Sequence, residues 1–109
     1  MGEQEEIAEI AMQIIAHAGE ARSRVYEALE ACIKKDFKRG RKLIGEAEKY
    51  IVEANKVSHS ILSKEARGEN IPVTLLLIHA LDILMASIIE RDLAKRLIRI
   101  LEAVNNSKK

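Results

Sequence analysis

Aromatic residues, proline and cysteine are all scarce in this chain, and each scarcity removes a class of protein. There is no Trp, and two Tyr and one Phe bring the aromatic fraction to only 3%. Leu, Ile, Val and Ala must therefore fill any core, and no platform for stacking bases can be assembled. The single cysteine, Cys32, excludes an intramolecular disulfide and suits a reducing compartment. Lying between Leu29 and Ile33, it reads as a buried, inert thiol. Pro72 is the only proline, so long stretches run without a helix breaker. Charge of one sign is lacking too: 18 Lys and Arg face 17 Asp and Glu, a net charge of +1 that does not favour a nucleic-acid partner. No Gly-rich phosphate loop, CxxC pair, HExxH zinc signature or serine nucleophile elbow occurs. The acidic opening MGEQEEIAEI has neither the basic start nor the apolar centre of a signal peptide. Residues 71 to 89 approach the roughly 20 residues of a membrane span. Pro72, His79 and Asp82 interrupt them, and a central Asp costs roughly 3 kcal/mol on the insertion scale. A soluble, cytoplasmic protein without membrane insertion is expected.

What remains is helix-forming material. The 109 residues suffice for one domain with one core, and the apolar fraction is 48%. Ile7, Ile10, Ile14, Ala18, Ala21, Val25, Ala28 and Cys32 step by three and four, which predicts a first helix over 4–34. Asp36 can cap a second, over 37–66, whose stripe runs through Ile44, Ala47, Ile51, Ala54, Ile61 and Leu62. RGENIP ends it, because Gly68 accepts the left-handed conformation and Pro72 cannot continue a helix from upstream. Thr74 or Asn70 can cap a third helix over 73–104, followed by a polar tail, NNSKK. The short connections predict an all-α, up-down-up antiparallel three-helix hairpin comprising the whole chain as a single domain, 1–109. The third helix has two adjacent apolar stripes, Leu93, Leu97, Ile100 and Val104 beside Ala94, Ile98 and Leu101. A three-helix monomer covers one of these, so the other argues for an oligomer with the third helix at its interface.

The chemistry gathers in TLLLIHALDILMASII, residues 74–89. A neutral imidazole is a competent nucleophile near pH 7, so His79 is a candidate phosphoryl carrier; the competing account is a core histidine bonded to a neighbouring helix. His17 and His59 are isolated and form no i, i+4 pair. Asp82 shares a face with Leu75, Ile78, Met85 and Ile89. A carboxylate there must be protonated, paired with a cation or bound to a metal. Copies converging on a symmetry axis would need a divalent cation or raised pKa values; the competing account is an ion pair with a Lys or Arg of a neighbouring helix. KKDFKRGRK, residues 34–42, holds six positive charges and one negative. It reads as a solvated basic end or as a contact for an acidic partner.

IIAHAGEARSRVYEAL (14–29), the DF at 36–37 and KEARGENIPVTLLLIHALDILM (64–85) together resemble the lactose/cellobiose-type IIA components of the bacterial phosphoenolpyruvate-dependent sugar phosphotransferase system. The resemblance runs over about residues 5 to 104. It implies three long helices per subunit, assembled as a homotrimer. It further implies that His79 accepts a phosphoryl group from the small histidine phosphocarrier protein and passes it to a cysteine of the IIB component. Asp82 matches an aspartate whose copies meet at the trimer axis around a divalent cation such as Mg.

The sequence also departs from the family pattern. Leu81 and Ile83 stand where HAQDH-type members have a glutamine and a second histidine. Asn55 and Ser58 occupy the polar positions of an AHxxQ pattern, and KRGRK replaces an acidic stretch. Such exchanges suit a changed protein-protein contact, with Leu76, Leu81, Ile83 and Met85 as candidate partner-docking residues. Two readings stand side by side. One is a phosphocarrier with altered partners. The other is a structural trimeric block, natural or designed, that self-assembles or binds a further chain in a larger assembly without phosphotransfer.

Overall fold

The computed structural model describes residues 2–108 as three helices, α1 (Glu3–Ile33), α2 (Phe37–Ala66) and α3 (Leu75–Ser107), with no strand among them. They form an elongated hairpin of 61 × 22 × 19 Å. Small residues let the axes approach: Ala11, Ala18, Ala21 and Ala28 of α1, Ala47 and Ala54 of α2, and Ala80 of α3 are all sealed from solvent. Two positions differ from the stripes read in the sequence. Ile10 is only half-buried, with Ala11 taking the inward position, and Leu62 is 57% exposed while Ser58 is buried. The helical period explains the second case. Positions 51, 54, 58 and 61 hold one line, and 62 lies about 100° beyond it.

Each connection is closed by hydrogen bonds legible in part from sequence. After α1, Lys35 N donates to Cys32 O and Asp36 N to Ala31 O, both at 2.9 Å, with Lys35 in the left-handed region at φ 68°. After α2, the same pattern recurs with Gly68 at φ 91°, its N–H bonding Glu65 O while Glu69 N bonds Lys64 O. These bonds satisfy carbonyls that the helix ends leave open. Asp36 then caps α2 by accepting from Arg39 N at 3.2 Å, and Thr74 caps α3 by accepting from Leu77 N at 3.1 Å. With Thr74 as the cap, α3 begins at Leu75, two residues later than the pattern suggested. It also continues through Asn105, Asn106 and Ser107, because no Gly or Pro stops it there.

The core falls into two clusters. One joins Ile7, Ile14 and Ala18 of α1 to Ala54 and Ile61 of α2 and to Leu77 and Leu84 of α3. The other joins Val25 and Cys32 to Leu43, Ile44 and Ile51 and to Ala94 and Ile98. Ile88 packs against both, at a waist where Ser87 is fully buried with its hydroxyl bonded to Leu84 O at 2.6 Å. Ion pairs add ties across the hairpin: Arg22 to Glu90 links α1 to α3, Arg24 to Glu46 links α1 to α2, and Arg41 to Glu102 links α2 to α3. All three are partly exposed, so solvent screens them and they add less to stability than the core does.

Candidate functional site

The first cluster supports the start of α3 and thereby the site. Leu77, Ala80 and Leu84 point inward and fix the rotation of the helix. His79 and Asp82 are turned outward as a consequence, and both are exposed. Neither side chain makes a hydrogen bond or ion pair with any described residue. Within a single chain, then, His79 is not a core histidine, and Asp82 has no cation of α1 or α2 to pair with.

Around His79, positions one turn away are Leu75, Leu76, Asp82 and Ile83. Leu75 is 85% exposed, whereas Leu76, Leu81 and Ile83 are half-buried against the first core cluster. Met85 is exposed and lies on a different face from Ile83. The four residues named as docking candidates are thus split: Leu76 and Ile83 brace the core one turn from His79, Leu81 braces it from the opposite side of α3, and Met85 belongs to a bare stripe. That stripe is the dominant surface feature. Leu75, Ile78, Met85, Ile89, Leu93, Leu97, Ile100 and Val104 step by three and four along α3 and are each 45% exposed or more, with Asp82 the one charged position among them. It spans about 44 Å at the helical rise of 1.5 Å per residue. Ala94 and Ile98, from the neighbouring stripe, are buried, and Leu101 is half-buried. The division of α3 into a covered and an uncovered stripe matches the reading from sequence.

A single chain gathers no cluster of three or more His, Cys, Asp or Glu among the described residues. Asp82 alone offers one hard oxygen donor set in an apolar face, and several copies meeting there would supply a carboxylate set of the kind Mg²⁺ or Ca²⁺ accepts. The chemistry of the donor fits such an ion only when copies converge. His17 faces Tyr50 with ring centroids 6.4 Å apart, and His59 is exposed on α2; neither joins the site. Burial raises the pKa of the Cys32 thiol, in keeping with an inert core cysteine. Among the described residues, no helix is long and apolar enough to cross a membrane. The pattern in the sequence did not announce the role of Arg22 in the AGEARS segment. Its Nε reaches Glu90 Oε1 at 2.5 Å, and the Tyr26 hydroxyl bonds the other oxygen of the same carboxylate, pinning α1 to α3.

A helical hairpin with an unpartnered histidine at one end and a long bare apolar stripe on its last helix is a small protein built to work against other chains. Residues 9–102 match the family model described as the PTS system, lactose/cellobiose-specific IIA subunit, and the chain belongs to that family. It is 40% identical over 96 residues to the lactose-specific EIIA component of Streptococcus mutans, covering 88% of this chain and 92% of that one. It is 36% identical to the corresponding component of Staphylococcus epidermidis, with the same coverage. Among solved structures, the cellobiose-specific enzyme IIA of Bacillus anthracis superposes with a TM-score of 0.88 at 32% identity, covering 90% of both chains. The chitobiose IIA component of Escherichia coli, solved in complex with HPr, gives a TM-score of 0.73 at 29% identity, covering 91% of this chain and 96% of that one. The chain is a IIA component of a sugar phosphotransferase system.

Proposed function

We propose that His79 is the phosphoryl-carrying residue of this IIA component. The observation that carries the proposal is its exposure, free of any side-chain partner, on the first turns of α3. A ring nitrogen of the neutral imidazole attacks phosphorus of the phosphorylated histidine phosphocarrier; a new P–N bond forms as the donor's P–N bond breaks. The donor imidazole leaves and His79 holds the group. In the second step the thiolate of a IIB cysteine attacks, a P–S bond forms, and the His79 P–N bond breaks. The protein's contribution is position and electrostatics. Side chains tilt toward the start of their helix, so His79 leans toward the positive end of α3, which favours the negative phosphoryl group. Asp82 opposes it, three residues along.

The same reading makes the active form a cytoplasmic homotrimer, sealed through the bare stripe of α3, which a monomer leaves in water. Asp82 and its copies would then be the residues to hold a divalent cation, whose charge would offset that of the converging carboxylates. Leu76 and Ile83, each one turn from His79, give the histidine an apolar surround on which partners dock.

The deciding experiment is intact mass after incubation with phosphoenolpyruvate, enzyme I and the histidine phosphocarrier. One acid-labile phosphoryl group per chain, absent from His79→Ala, is expected. A chain left unmodified by donors that phosphorylate a related IIA component would transfer the argument to the structural-block reading.

A further inference from the structure

The near-neutral net charge conceals a strong separation of charge along the rod. Taking Ile88 as the midpoint, the half containing His79 (2–18 and 52–87) holds eight acidic and three basic residues. The opposite half (19–51 and 88–108) holds nine acidic and fourteen basic. The excess is concentrated at the tip formed by the α1–α2 connection. Lys34, Lys35, Lys38, Arg39 and Lys42 are all exposed there, and none makes an ion pair or side-chain hydrogen bond with a described residue. Arg41 is engaged by Glu102, and Asp36 is the one acidic residue inside the segment. Ile33, the last residue of α1, immediately precedes Lys34 and Lys35 and is 63% exposed.

We infer that this tip seats on the surface of an anionic lipid bilayer, with the lysines and Arg39 over lipid phosphates and Ile33 in the headgroup layer. Charge complementarity selects an anionic partner. The exposed Ile33 then separates the candidates, because a headgroup region offers negative charge and an apolar boundary within one side-chain length. An RNA or DNA partner would leave Ile33 without use; Phe37 is half-buried, and Tyr26, the exposed ring in the groove beside Lys34 and Arg39, shares that groove with Glu27 and Glu30, which repel a nucleic-acid backbone. The end of a narrow rod is also a shape for meeting a flat surface. Seated this way, the chain keeps His79 in water, about 40 Å away by the rise along α3. The inference does not depend on phosphotransfer.

Co-sedimentation of the full chain with vesicles tests it, comparing phosphatidylglycerol–phosphatidylcholine mixtures with phosphatidylcholine alone at low salt. Binding to the anionic vesicles only is expected, lost in high salt. Lys34→Glu with Lys38→Glu should lower the bound fraction at least tenfold, and Ile33→Ser severalfold. Lys56→Glu with Lys64→Glu, at the other end, should change it little; circular dichroism confirms that each variant is folded. Absence of binding, equal binding of the Lys34/Lys38 variant, or loss through the Lys56/Lys64 variant each overturns the inference. So does a chain that ignores vesicles but binds polyglutamate or RNA through the same tip, since the partner is then a soluble polyanion.

Discussion

Gly40 lies where α2 packs closely against α1. A Cβ at that position would collide with Cys32 Sγ and come within 3.2 Å of the Ala28 carbonyl. Gly40→Ala should therefore destabilise the chain by about 1–3 kcal/mol in urea denaturation, despite the better helix propensity of Ala. Adding Cys32→Ala should recover part of the loss, since the thiol is the nearer obstacle; no recovery would place the obstacle at Ala28. The same cysteine links stability to alkali. Burial raises its pKa above the ordinary 9.0, so the folded state keeps its proton longer than the unfolded one. The contribution is complete below that ordinary value and is lost as pH rises through the folded value, so unfolding curves should weaken above about pH 9. In Cys32→Ala that part of the slope should vanish. Sequence alone identified the thiol as buried but not its contact with Gly40. That contact joins residues on two helices, and periodicity reports only one helix at a time.

At the level of the helix, ends and faces follow different physics. Lys35 occupies the left-handed position after α1 that Gly68 occupies after α2. A side chain there is strained, so Lys35→Gly should raise stability by about 0.5–1 kcal/mol, as measured by thermal or urea unfolding. A decrease would mean that the Lys35 side chain makes up for its backbone. The caps at Asp36 and Thr74 and the double stripe of α3 were legible because they depend on local spacing. The exposure of His79 was not, since an inward and an outward histidine give the same sequence; the inward turn of Leu77, Ala80 and Leu84 decides it. The uncovered stripe carries its own test. If three copies seal it, Leu93→Glu places one charge per chain into the seam and should dissociate the assembly in sedimentation equilibrium with helix content retained. A trimer that survives would put Leu93 outside the contact. Asp82→Asn should make thermal stability indifferent to added or removed divalent metal, whereas the unaltered chain should lose stability when the metal is chelated.

Over the whole molecule, the acidic half surrounds the histidine and the basic half lies opposite. A partner that reaches His79 approaches a negative field, so a donor with a basic face should phosphorylate the chain fastest at low salt. Raising ionic strength to about 0.5 M should slow the second-order rate severalfold, since charges beyond a few ångströms are then screened. A salt-independent rate would assign docking to apolar contact alone. The waist at Ser87 and Ile88 has a bearing on how such a protein can change. Two clusters that share little beyond Ile88 give nearly additive responses: substitutions at Leu84 and Leu43 lie in separate neighbourhoods and their effects on stability should sum. The chain is thus modular at the scale of half a helix. Exchanges at Leu81 and Ile83, which pack on the first cluster, should leave the packing that holds the far end undisturbed, and each end is free to acquire a history of its own.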